Sequence, residues 1–93
     1  VNSARIAGEI EDLLRQDGPQ ITEDLRTRLM VSSKARFDAA VYILIEEGKV
    51  QRFTEGSDPA LRLLGDARPV YEGPYVFVRK LRTRVAVANG AGS

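Results

Sequence analysis

Residues 32–50 read Ser-Ser-Lys-Ala-Arg-Phe-Asp-Ala-Ala-Val-Tyr-Ile-Leu-Ile-Glu-Glu-Gly-Lys-Val, and this stretch decides the fold. Phe37, Val41, Leu44 and Ile45 recur at i, i+4, i+7 and i+8, the spacing of one buried stripe on a helix. Ser32 or Ser33 offers a hydroxyl to the free backbone N–H groups of the first turn. Gly48 offers the left-handed conformation that closes a last turn. Opposite the stripe, at about 100° per residue, stand Ala35, Ala39, Tyr42 and Glu46, with Arg36 and Ile43 on one flank. The N-terminal half of that open face is small and polar: Ser33, Lys34, Ala35, Arg36 and Ala39. Small side chains permit close approach to a groove, and Lys and Arg reach phosphates or base edges. Taken alone, the same residues also fit helix propensity and a solvated surface.

Working outward, Ser3 is expected to cap a first helix over residues 4–17, with Ile6, Ile10, Leu13 and Leu14 as its core stripe. Gly18-Pro19 ends it, because proline cannot continue the hydrogen-bond ladder. Gln20-Ile21 is too short to stand alone and fits a stub strand in a small sheet. Thr22 reads as the cap of a second, short helix over residues 23–29, with Glu23 and Asp24 at its positive end and Leu25 and Leu29 as apolar partners. Residues 30–32 make a tight connection with Val31 plugging the corner, so the pattern is helix-turn-helix. After Gly48, residues 50–53 and 61–64 read as strands around a turn-rich loop, residues 54–59.

The run Ile21-Thr22-Glu23-Asp24-Leu25, then Leu29-Met30-Val31-Ser32-Ser33, then Phe37, Val41 and Leu44-Ile45-Glu46-Glu47-Gly48-Lys49-Val50 resembles the winged-helix superfamily of helix-turn-helix domains. The resemblance covers about residues 4–65. It implies an α+β, mainly α, fold: three helices, a small antiparallel β-sheet and a C-terminal extended arm. It implies a winged helix-turn-helix domain over residues 1–68 and a basic extension, strand or arm, over residues 69–93. It makes the third helix the recognition helix, with Ser33, Lys34, Ala35, Arg36 and Ala39 facing the major groove and Tyr42 nearer the backbone. The loop at 54–59 becomes the wing. Wings that reach DNA are often basic, whereas this one carries Glu55 and Asp58 and leaves only Arg52 and Arg62, on the strands below, as substitutes.

Charge and composition bound the function. Ninety-three residues make one modest domain. Residues 1–69 carry a net charge of −2 and residues 70–93 a net of +3, from Arg79, Lys80, Arg82 and Arg84 against Glu72. Attraction to phosphate therefore has to come from local clustering or from the tail. Residues 75–78 are β-rich and residues 81–87 alternate, which predicts an extra strand or an arm with an arginine face. Such an arm suits a homodimer or parent-protein contact through residues 70–88, a path along a nucleic-acid backbone, or a linker. The start at Val1 fits processing or excision from a longer chain.

The chain has no histidine and no cysteine, so the commonest general base and the usual zinc ligands are missing. Neighbouring acids such as Glu23-Asp24 diverge on a helix, no glycine-rich phosphate loop appears, and no serine has a base partner. An enzyme and a cofactor are not expected. No apolar run approaches the ~20 residues of a membrane span, and a cytoplasmic setting is expected. The reading is a double-stranded-DNA binder, either a transcription regulator or the DNA-binding domain of a larger replication or recombination protein. The alternative is a winged-helix module for protein–protein interaction.

Overall fold

The computed structural model of the chain describes residues 2–73. In order these form α1 (Ser3–Asp17), β1 (Gln20–Ile21), α2 (Thr22–Arg28), α3 (Lys34–Glu46), β2 (Val50–Glu55) and β3 (Asp58–Leu63). The class is α+β: three helices and one three-stranded antiparallel sheet, with β3 between β1 and β2. The expected strand or arm that carries Arg79, Lys80, Arg82 and Arg84 lies outside the described residues.

Three helix starts were read from sequence, and two begin differently. The cap of α1 is Asn2, not Ser3: its side chain accepts from the Arg5 N–H at 2.8 Å, and Ser3 is already helical. Asparagine is at least as good a cap as serine, so backbone direction decides between adjacent candidates. Thr22 is likewise the first residue of α2 rather than its cap. The cap position falls to Ile21, held in β1 opposite Ala60, whose hydrocarbon side chain has no acceptor to offer. For α3 the choice between Ser32 and Ser33 resolves to Ser33, which accepts from the Arg36 N–H at 3.2 Å.

The core gathers Ile6, Ile10 and Leu14 of α1, Leu25 of α2, Phe37, Ala40, Val41 and Leu44 of α3, and Val50 and Leu61 of the sheet. Ala40 takes the place expected for Ile45, which is only half-buried. An alanine on the central line of the stripe permits close packing of α3 on its neighbours, and Ile45 then covers the rim. Val31 is half-buried against this cluster, as expected for the corner between the helices.

The hairpin is longer and tighter than its sequence suggests. Strands run to Glu55 and from Asp58, so only Gly56-Ser57 turn, in place of a six-residue loop. Gly56 at φ 64° followed by a residue at negative φ is the pattern of a glycine-first hairpin turn. The closing pair Glu55–Asp58 is hydrogen-bonded, so the next pair, Thr54–Pro59, is not. The nitrogen of Pro59 therefore faces away from β2, where β1 reaches no further than Ala60, and a residue without an N–H is tolerated.

Past the hairpin the chain folds back onto the body. Arg68 Nη2 donates to the Leu14 and Arg15 carbonyls at 3.2 and 3.1 Å, satisfying the end of α1. Asp66 holds that guanidinium at 2.8 Å. The Tyr71 N–H donates to the Pro19 carbonyl at 2.7 Å, and Val70 packs beside Ile21, Ala60 and Phe53. No helix among the described residues is long and apolar enough to cross a membrane.

Candidate nucleic-acid interface

Burying Phe37, Ala40, Val41 and Leu44 leaves the opposite side of α3 open. Lys34, Ala35, Arg36, Ala39 and Tyr42 are all exposed, and Tyr42 keeps 60 % of its surface. The sequence-derived face is therefore contiguous. Ser33 differs: it is half-buried and its hydroxyl is already used as the cap.

The two strand arginines are separated. Register puts Gln51, Phe53, Ala60 and Arg62 on one face of the sheet and Val50, Arg52, Leu61 and Leu63 on the other. Arg62 donates to Gln51 Oε1 at 3.0 Å and stacks 5.0 Å from the Phe53 ring centre, on the side that Val70 covers. Arg52 instead faces the helices. It lines a groove of about 580 Å³ between α2, α3 and the hairpin, together with Lys34, Asp38 and Arg26. Among the described residues, Lys34 and Arg52 make no side-chain hydrogen bond or ion pair. The structure thus brings Lys34 and Arg52 to one groove and sends Arg62 elsewhere. Arg79, Lys80, Arg82 and Arg84 lie outside the described residues.

Other cations are committed to the scaffold. Arg26 meets Glu23 at 2.8 Å and donates to the Val31 carbonyl at 3.3 Å, which ties α2 to the turn that follows it. Its hydrogen bond and charge contact with Glu23 raise its pKa above the usual guanidinium value. Arg28 pairs with Asp17 at 2.8 Å, donates to Gln20 Oε1 at 2.6 Å and lies 5.0 Å from the Tyr71 ring centre. Lys49 sits 3.4 Å from Glu47, just past α3, and 3.7 Å from Glu11 on α1, and so offsets negative charge at both. The exposed pairs of Lys49 contribute little each, whereas Arg28–Asp17, with side chains 22 % and 17 % exposed, is screened less.

The hairpin tip carries Glu55 and Asp58 in its closing pair, so the tip is acidic. Sequence reasoning missed the groove between α3 and the hairpin, because Lys34 and Arg52 are eighteen positions apart and only the strand register turns Arg52 inward. It also missed Arg5, which lines a cavity with Arg36 although it lies on α1. No family model matches this chain, and neither a curated protein nor a solved structure does.

Proposed function

We propose that residues 1–68 form a winged helix-turn-helix domain and that the domain binds double-stranded DNA, with α3 lying in the major groove. The element order, helix–strand–helix–helix–strand–strand, and the placement of β3 between β1 and β2 support the fold reading. The observation that carries the DNA reading is the open side of α3, where Lys34, Ala35, Arg36 and Ala39 form a small, basic tip. Lys34 and Arg52 would hold backbone phosphates from two sides of one groove. A regulator of transcription and a DNA-binding part of a replication or recombination protein both fit this reading. The acidic hairpin tip favours a second reading, a module that docks protein partners through the Ala39, Tyr42 and Ile43 side of α3.

The test is an anisotropy titration with random and mixed-site duplexes at low and physiological salt. DNA binding predicts affinity that falls steeply with salt. It predicts that Arg36→Ala weakens a preferred duplex by about 1–3 kcal/mol. No binding at low salt transfers the function to the protein-docking reading, and an Arg36→Ala variant that binds duplex like the parent removes the basic tip of α3 as the contact.

A further inference from the structure

We propose that the outer edge of β2 is a self-docking surface: two copies of the chain pair antiparallel through residues 51–55, centred on Phe53, and join their three-stranded sheets into one. The pairing does not rest on the DNA reading. Its first support is an open edge. Where the sheet ends at β1 the returning chain covers it, since the Tyr71 N–H donates to the Pro19 carbonyl just ahead of that strand. At the other end of the sheet β2 has β3 on one side only. The hydrogen-bonded closing pair Glu55–Asp58 makes Phe53–Ala60 and Gln51–Arg62 hydrogen-bonded as well. The N–H and C=O of Arg52 and Thr54 therefore point away from β3, and among the described residues no backbone group meets them. Gln51, Arg52, Thr54 and Glu55 are exposed, and the strand holds neither proline nor glycine to blunt its edge.

The second support is that this edge is complementary to itself in one register. Side chains stay on matching faces when a two-fold axis passes at Arg52, Phe53 or Thr54. An axis at Arg52 sets two guanidiniums directly opposite each other, which is unfavourable. An axis at Thr54 opposes Phe53 with the partner's Glu55, and Arg52 with the partner's Gly56 in the turn. An axis at Phe53 pairs Arg52 with the partner's Thr54, so the free backbone groups of both residues are satisfied. It also sets the two Phe53 rings side by side in a non-hydrogen-bonded pair, where Cα atoms stand closest, about 4.5 Å apart.

Charge agrees with that register. On the Phe53 face Gln51 meets the partner's Glu55, with Arg62 one strand behind Gln51 and the partner's Asp58 one strand behind Glu55. The acids of each hairpin tip thus approach an arginine of the other copy, and symmetry repeats the arrangement at both ends of the seam. A second copy of this chain is therefore the occupant that the edge fits.

The seam is short, so the expected dimer is weak, half-formed at about 100 µM in sedimentation equilibrium of the full chain. Thr54→Pro removes an N–H that β3 does not use, and Glu55→Lys faces Asp58 within its own hairpin, so both should keep the fold of the dilute monomer. Thr54→Pro is expected to weaken the dimer about tenfold and Glu55→Lys several-fold. The chain has no cysteine, so Phe53→Cys supplies a single thiol. Mild oxidation should link its copies about tenfold faster than those of Thr54→Cys, which stand out of register. A chain still monomeric at ~1 mM, a dimer that neither Thr54→Pro nor Glu55→Lys weakens, or equal linking of the two cysteine variants overturns the proposal. Amide exchange tests the competing occupant. If the Arg52 and Thr54 N–H groups are protected in dilute monomer, residues 74–93 of the same chain cover the edge and the proposal fails. Protection that appears only as concentration rises sustains it. Duplex titrations do not enter any of these outcomes, so the DNA reading stands or falls separately.

Discussion

Helices α2 and α3 are neighbours that end in the same hydrogen-bond pattern and reach it by different means. At the end of α3, the Gly48 N–H donates to the Ile45 carbonyl and the Lys49 N–H to the Leu44 carbonyl, both at 3.0 Å. At the end of α2, the Met30 N–H donates to Thr27 and the Val31 N–H to Arg26, both at 3.1 Å. Each is the two-bond closure that needs a left-handed residue just past the helix. Gly48 adopts it at φ 70° without a Cβ to obstruct it; Met30 adopts it at φ 56° with a full side chain. Their starts differ too, since Ser33 caps α3 and nothing caps α2. α3 is therefore locally finished by its own sequence. α2, only seven residues long, is held by its surroundings: buried Leu25, the β1 strand that runs into it, and the ion pairs of Arg26 and Arg28. What this teaches is that a helix end can be closed by tertiary packing as well as by glycine: Val31, packed against the core, holds the closure at which Met30 must turn left-handed.

The comparison breaks or sharpens through a short series of variants. The largest effect is expected from Gly48→Val, which forces a β-branched side chain into the left-handed region. It should cost about 2 kcal/mol in a urea titration, with an unchanged slope. Met30→Gly should move the other way, gaining about 1 kcal/mol. If Met30→Gly destabilises instead, the methionine side chain is contributing to the fold and the contrast is wrong. At the helix starts, Ser33→Ala should cost about 1 kcal/mol, whereas Thr22→Ala should stay within about 0.5 kcal/mol because Thr22 is not a cap. Equal losses at the two would remove the distinction between them.

The smallest effect concerns the chain beyond the hairpin. Hydrogen bonds from Arg68 hold the Asp66 carboxyl below the usual carboxylate range. A carboxyl with a lowered folded pKa contributes stability that is full above its unfolded value and is lost as pH falls through the folded one. Asp66→Asn should therefore lower stability slightly at neutral pH, where the carboxylate contributes in full, and converge with the parent as pH falls, which flattens the acid limb of the stability curve. An acid limb of the same shape in both proteins would show that Asp66 and Arg68 do not tie residues 66–68 to the end of α1.

Much of α3 was legible in advance. Its start, its stop, its open residues and most of its core stripe follow from local spacing, because a helix repeats on a scale of a few residues. The stub at Gln20-Ile21 was legible for a similar reason: two residues between two helices have few uses other than pairing. The caps of α1 and α2 were not, since adjacent polar residues compete and the turn of the backbone chooses between them. Arg52 and Arg62 looked equivalent in sequence, but the hairpin register puts them on opposite faces. Nothing local signals that Met30 is left-handed, because methionine is an ordinary helix former and the closure it completes is imposed by where Val31 must pack.

The amino-acid sequence by itself determined the elements of this protein: three amphipathic helices, a hairpin with a stub strand, and the absence of histidine and cysteine. Those properties depend on neighbours a few positions apart. Tertiary structure alone decided which arginines share a groove, which are spent on carboxylates and carbonyls, and which left-handed position a methionine must fill. These depend on strand register and on contacts such as Arg68 with Leu14, fifty-four positions apart, which no local pattern of side chains encodes.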